Sequence, residues 1–471
     1  MSMRDAVSAL NRFGLGAKPG ALSTLGEPRA WLLRQLRSQV APAVFSGLPS
    51  SLEYLQREAQ FLQQRRQGKR NGDAAPDSQM KAGKLYREAL MQELGKRYQA
   101  AVESEDGFHE RLVRFWSNHF AISVDKRQAA LYAAPMEREA IRPHVTGNFA
   151  SLLLAVETHP GMLRYLDNAG SVGVDSMFAA RARRRSARRN SGKPAREPGL
   201  NENLAREILE LHTLGVDGGY TQVDVAELAR AITGWSVPLP QDWKRSVQDS
   251  AFVFREAAHE GGVRNVLGRR YAETGAGQGV AILVDLAQHP ATAKHVSWKL
   301  ARHFVSDDPP QALVDRMSKA WQDSGGDLAM VYRVLIESPE SWADTATKFK
   351  TPEDFVVSGL RVIDLPPGDR PRMVVELLTR MGQPPFTPRS PAGFPDEAVE
   401  WSGPDALWKR VQAAQSLAYA APAKGTDALA AANATFADGL DAETLTAIRR
   451  AESPREALAL LMASPAFQWR S

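Results

Sequence analysis

Three stretches of this 471-residue chain concentrate side chains that can move a proton or hold an anion. The densest runs from Asn201 to Tyr220 (NENLAREILELHTLGVDGGY). Read as a helix, it lets Asn201 cap the first turn, pairs Glu202 with Arg206 at i,i+4 and buries Leu204, Ile208 and Leu211. Asn203, Arg206, Glu207 and Glu210 then share a face. Glu207 and Glu210 lie one turn apart and can converge on a proton or a metal. His212 falls about 160° around the helix from Glu210, so the two do not form a Glu-x-x-His metal pair. Capping accounts for Glu202, and for Asp224 in the box that Thr221 opens. Glu207, Glu210 and His212 sit deeper in an apolar helix. There a carboxylate suits general-base work and an imidazole suits the orienting or acid role, although a histidine near a helix C-terminus also satisfies the dipole.

The second stretch, His159 to Asn168 (HPGMLRYLDN), is a short helix ending at Asp167-Asn168. That pair is a turn signal that also offers a carboxylate base beside an amide donor. The third, His289 to His303 (HPATAKHVSWKLARH), opens a helix with Pro290 and makes His289 a neighbour of its N-cap. His295, Lys299 and Arg302 form one stripe and His303 lies on the next, beside Val296 and Leu300. Such a cationic stripe can clasp an anionic group, or it can simply be a solvated face. Among the tryptophans, Trp116, Trp235, Trp298, Trp401 and Trp408 are core residues or the walls of a sugar-stacking groove.

The chain has no cysteine, which removes disulfides, thiolate nucleophiles, zinc fingers and iron–sulfur clusters; any metal would have to use histidine and carboxylates, and its identity stays open. No nucleophile elbow, phosphate-binding loop or dinucleotide fingerprint occurs. The net charge of +5 is local: 181–197 (RARRRSARRNSGKPARE) carries eight Lys/Arg and one Glu, and the remaining residues sum to −2. Without interleaved aromatics this segment reads as a solvated insertion rather than a nucleic-acid site. The start, Met1 to Gly16, lacks the apolar stretch of a signal peptide, and no apolar run is long enough to span a membrane. The expectation is a cytoplasmic protein, unless the natural chain begins earlier and is exported.

Stepwise spacing of three and four dominates and predicts a mainly α fold, a compact multi-helix array. Helices are expected at about 108–119, 201–214, 221–233, 278–288, 290–304, 310–323, 327–338, 353–363, 371–382, 404–420 and 454–464. The β-rich AFVFR and VRNVL runs predict one small hairpin near 251–267, turning at His259-Glu260-Gly261-Gly262. Residues 63–83 and 181–199 read as exposed loops and the proline-rich 383–404 as an ordered or wrapping segment. The Ala-rich 418–436 reads as a mobile linker before a C-terminal helix, all within one unit spanning 1–471.

Several motifs together resemble a known family: Leu10 to Gly16, Arg111 to Ser123 (RLVRFWSNHFAIS), His159 to Asn168, Asn201 to Trp235, His259 to Gly268, Pro290 to Val305, Phe394-Pro395-Asp396 and Ser464 to Phe467. They are similar to the bacterial family catalogued as domain of unknown function 1800, and the likeness covers nearly the whole chain. The resemblance implies a mainly helical protein without a settled activity. It also implies a partner or a shared pathway with a sulfatase-like protein encoded alongside. The 181–197 arginine-rich segment departs from the family pattern, which has a variable Ser- or Gly-containing connection there.

These motifs coincide with the three clusters. The expectation is one site in which Asp167, Asn168, Asn201, Glu202, Asn203, Glu207, His212, His289 and His303 converge. Two classes of function fit. In an enzyme acting as a hydrolase, lyase or transferase on a polar, saccharide or anionic substrate, Glu207 or Asp167 would be the base, His212 the orienter or acid, and Arg206 or Lys299 the anion holder. In a binding or assembly protein the same groups would be buried networks fixing helix packing.

Overall fold

The computed structural model describes residues 2–37, 42–70, 76–188, 199–343, 348–368, 371–422, 427–437 and 439–470, with side chains described outside 68–85 and 187–188. It is mainly helical, 63% of residues. Proline recurs at the first helical position behind a capping residue, as in His159-Pro160, His289-Pro290, Thr351-Pro352, Ser453-Pro454 and Ser464-Pro465. The missing proline N–H removes a donor that a helix start leaves unpaired in any case. The predicted helices are present, with bounds such as Gly107–His119, Pro290–Phe304, Pro352–Val362 and Pro404–Ala420. The first cluster starts as an α-helix, Asn203–Glu207, and widens into a π-turn over Ile208–His212.

The strands pair differently from the expected hairpin. Val253–Phe254 pairs with Trp235–Ser236, and Arg264–Val266 pairs with Arg269–Tyr271. The second pair closes on Leu267 and Gly268, with φ of 50° and 74°. A two-residue turn with both central φ positive matches the twist of antiparallel strands, so this local hairpin wins over the longer connection through 256–262, part of which forms a 3₁₀ turn at Glu256–Ala258. A third pair joins Lys348–Phe349 to Trp469–Arg470 and fastens the chain's end to its middle.

Three loop expectations are corrected. Helices Ser51–Arg70 and Pro76–Glu103 occupy most of 63–83, of which 71–75 lies outside the described residues. Helix Met177–Arg188 occupies the first part of 181–199, and 189–198 lies outside the described residues. The Ala-rich stretch forms the end of Pro404–Ala420 and the helix Ala428–Phe436, where Ala428, Ala431, Ala432 and Phe436 are buried; 423–426 lies outside the described residues. Small side chains let that helix pack closely instead of leaving it as a linker.

Buried apolar residues form two large clusters. The first spans Ala6 to Trp342 and centres on Phe13, Phe108, Trp116, Phe149, Tyr332 and Trp321. The second gathers Leu94 to Val102 with Phe355 to Phe467. Phe386, in the proline-rich segment, packs against both. Among the described residues, no helix is long and apolar enough to cross a membrane.

Candidate functional site

A cavity of about 440 Å³ opens at the seam of the two clusters. Helix Gly107–His119 turns Phe108, Leu112 and Trp116 into the first core, leaving Arg111, Arg114, Phe115, Asn118 and His119 as a stripe along the cavity. Helix Pro290–Phe304 does the same: Val296, Leu300 and Phe304 are fully buried, while His295, Trp298, Lys299, Arg302 and His303 line the wall. Of the five tryptophans considered from sequence, Trp298 alone lines this cavity. The start of Pro352–Val362 adds Thr351, Glu353 and Asp354, acids that also suit a helix N-terminus. The proline-rich segment closes the far side from Gln383 to Glu397. It is pinned by Asn118, whose amide donates to the Phe394 carbonyl (2.9 Å) and whose Oδ1 accepts from the Phe394 N–H (2.8 Å). Gly393, at φ 85°, permits this approach, because a Cβ there would sit 2.4 Å from the Asn118 carbonyl oxygen.

The carboxylates of this wall are clamped. Glu353 accepts from Arg114 (2.6 Å), from the Tyr98 hydroxyl (2.9 Å) and from Arg97. Burial alone would raise its pKa, but Arg97 and Arg114 outweigh burial and hold it at about 2. Asp354 lies between Arg111 (2.9 Å) and Arg470 and is held well below the usual carboxylate range despite its burial. His303 Nδ1 is 2.8 Å from Asp396, which burial would raise but His303 and Lys348 hold at about 2. Arg302 pairs with Glu397.

Five guanidinium groups and one ammonium line the cavity, facing five carboxylates. Lys299 is the cation left over; it makes no hydrogen bond and no ion pair with the described residues. Burial lowers its pKa to about 8, with Asp396 pulling up and Arg302 pushing down. Burial and Lys299 hold His295 at about 4; burial takes His303 to about 4 against the pull of Asp396; and burial, then Lys299, takes His119 well below 6.5. All three imidazoles are therefore neutral at pH 7. Arg114 and Arg302 each commit one terminal nitrogen to a carboxylate, and the other terminal nitrogen of each makes no hydrogen bond with the described residues. The wall thus has spare donors and one spare positive charge.

A second, more open polar cavity of about 1140 Å³ lies beside Asp167, Asn201, Glu202, Asn203, Arg164 and Gln128. Four residues expected at the site do come together here. Their hydrogen bonds are those of turns and caps: Asn201 accepts from the Asn203 N–H (2.9 Å), and Glu202 accepts from Gln222 (2.8 Å) with Arg206 at 3.5 Å. Arg206 donates to Gln222 (2.8 Å). Asp167 adopts a left-handed φ of 60° and pairs with Lys126 at 2.6 Å, half exposed.

The other expected residues line neither cavity. His289 accepts from the Ala291 N–H (3.2 Å) as an N-cap. Asn168 is fully buried and donates to the carbonyls of Ile232 (3.2 Å) and Trp235 (3.3 Å). His212, also fully buried, has Nδ1 2.7 Å from Glu157, a contact that meets the distance but not the alignment of a hydrogen bond. Glu207 is half-buried, and burial raises its pKa, opposed by His212. Glu210, its neighbour one turn on, does reach the seam cavity, accepting from Tyr220 (3.1 Å). Lys299 and His303 are the expected residues found at the seam. Sequence reasoning missed the clamps. Arg111, Arg114 and Asp396 stood inside recognised motifs without a role, Glu353 and Asp354 resembled ordinary helix-start acids, and Arg470 carried no local signal. Among the described residues, no group of three or more His, Asp or Glu is placed to hold a metal.

These features define a helical protein with a charged cavity between two cores. Residues 8–469 match the family described as "Protein of unknown function (DUF1800)", and the chain belongs to that family. No curated protein and no solved structure matches it.

Proposed function

We propose that the seam cavity takes a small anionic substrate and that the protein is an acid–base enzyme of the hydrolase, lyase or transferase type. The observation that carries this reading is Lys299, a cation that makes no ion pair or hydrogen bond with the described residues in a wall whose other cations are paired. An unpaired charge in a partly desolvated place costs stability and is retained where a ligand completes it. The spare N–H groups of Arg114 and Arg302 hold the anionic group, which a planar guanidinium can grip in a bidentate manner. The proton-moving role expected of Glu207, Asp167 and His212 passes in this reading to Lys299. His303 keeps Nδ1 on Asp396 and holds that carboxylate in the wall, while its own Nε2 is buried.

A non-catalytic binding site is the second reading. It is favoured by the clamped state of Glu353, Asp354 and Asp396, which are fixed as anions and so unsuited to proton exchange near neutrality. The test common to both is a melting-temperature screen with pyruvate, phosphate, sulfate and glucuronate on the wild type, Lys299→Met and Arg302→Met. One anion class should raise the wild-type melting temperature, by the equivalent of about 2.7 kcal/mol at a hundredfold excess over Kd. Either variant should abolish the rise. A rise that persists in Lys299→Met, or no rise with any anion, overturns the assignment of the site. A turnover assay on the compounds that bind then separates enzyme from binder.

A further inference from the structure

An amine without a partner can do more than attract an anion, because in its neutral form it is a nucleophile towards carbon. Lys299 differs in this from the cavity's guanidinium groups, which are always charged, and from Lys348, which is fully buried and tied to Asp307 at 2.5 Å. Desolvation favours the neutral form of Lys299, and Arg302 adds to this against the larger opposing pull of Asp396. Phe115, Trp298, Phe386 and Phe394 give the cavity apolar walls, and Arg302 lies three residues along the same helix with its guanidinium 4.8 Å above the Trp298 ring. Desolvation and a neighbouring cation are the two devices that activate a lysine for covalent catalysis. With a pKa of about 8, roughly a tenth of Lys299 is neutral at pH 7. A carboxylate on the same molecule would find the uncommitted terminal N–H groups of Arg302, on the same helix, and of Arg114 in the cavity wall.

We propose that Lys299 forms an imine with an anionic carbonyl compound, a 2-oxo acid or an aldehyde acid, whose carboxylate is held by Arg302. The inference rests on reading the seam cavity as an anion site and names the class of substrate for it. The neutral Nζ gives its electron pair to the carbonyl carbon, and the carbon–oxygen π pair moves onto oxygen. That oxygen leaves as water, carrying the two protons that began on Nζ, and a C=N bond remains. Hydrolysis reverses the step, so no oxidant or reductant is required.

The full-length protein is incubated with glyoxylate or pyruvate and sodium cyanoborohydride, which reduces an imine to a stable secondary amine, and the adduct is located by peptide mass mapping. Labelling should concentrate on Lys299, at least about tenfold above exposed lysines, since its neutral fraction at pH 7 is roughly a hundredfold greater than theirs. Lys299→Arg, checked for an unchanged fold by its melting temperature, should remove this label and leave the weak background elsewhere. Arg302→Met should raise the glyoxylate concentration needed for half-labelling by a larger factor than that of uncharged acetaldehyde, which senses only the loss of the neighbouring cation; equal factors would remove Arg302 as the carboxylate holder. Labelling of Lys299 no stronger than that of exposed lysines overturns the imine. If carboxylates still raise the melting temperature through Lys299 and Arg302, the anion site stands without it; if they do not, both readings fall.

Discussion

The seam cavity and the cavity beside Asp167 are lined by similar residue types in opposite electrostatic settings. Asp354 is 8% exposed and has two arginines, one 2% and the other 0% exposed. Asp167 has one lysine, and both side chains are partly in water. In the first place every other lining charge is committed before a ligand arrives, so Lys299 stands out as a functional group. In the second, water screens the same kinds of groups, and their contacts are those of caps and turns. The richest polar motif in the chain therefore need not mark the most reactive site; burial decides how much a charge matters.

The largest expected effect lies at the seam. Asp354→Ala leaves Arg111 and Arg470 buried without their carboxylate, and urea denaturation should show a loss of about 3–5 kcal/mol. A loss below about 1 kcal/mol would break the comparison.

Acid should act next. Glu353 and Asp396 have folded pKa values of about 2, below the ordinary carboxylate values of the unfolded chain. The unfolded state then binds protons first as the pH falls. Their contribution is complete above about pH 5 and is lost between about pH 4 and 2, a few kcal/mol in all. In Asp396→Asn the melting temperature should fall less steeply across that window; an unchanged slope would remove Asp396 from the account.

Lys299→Met should act in the opposite direction, raising stability by about 1–2 kcal/mol, because it replaces an unpaired desolvated ammonium with an apolar chain of similar length. Here too pH gives an independent reading. Lys299 has a folded pKa of about 8, below the unfolded value near 10.4, so the folded state releases its proton first and the wild type gains stability as pH rises between these values. The variant should lack that gain, and a variant that melts lower at every pH would make Lys299 a structural residue.

The smallest effect belongs to the second cavity. Asp167→Asn retains a residue tolerant of the left-handed conformation and loses only a screened ion pair, so it should change stability by less than about 1 kcal/mol. A larger change would place that cavity on the same footing as the seam.

Much of the architecture was legible in local spacing. The stripe His295, Lys299, Arg302 on helix Pro290–Phe304 follows from helical geometry, as does the cap at Thr221, whereas His289, read as a neighbour of the N-cap, is the N-cap itself. The hairpin was misread because two apolar β-rich runs compete for partners, and only the turn at Leu267-Gly268 settles which pairing forms. The Ala-rich stretch was misread because alanine is as compatible with a tight helix interface as with a linker. At the site, Lys299 and His303 could be found from sequence, but their importance could not. Asp354 meets Arg470 across 116 positions, and Glu353 meets Arg97 across 256.

The sequence by itself determined the helical class, the absence of thiol chemistry, the family and the faces of individual helices. Each of these depends on composition or on periodicities that the backbone imposes within a few residues. Only the tertiary structure decided which acids are neutralised by which arginines, and hence that Lys299 is the cation left without a partner. Electrostatic pairing is a property of positions in space and of the water removed around them, and a chain can bring any two of its residues together without leaving a trace in their local order.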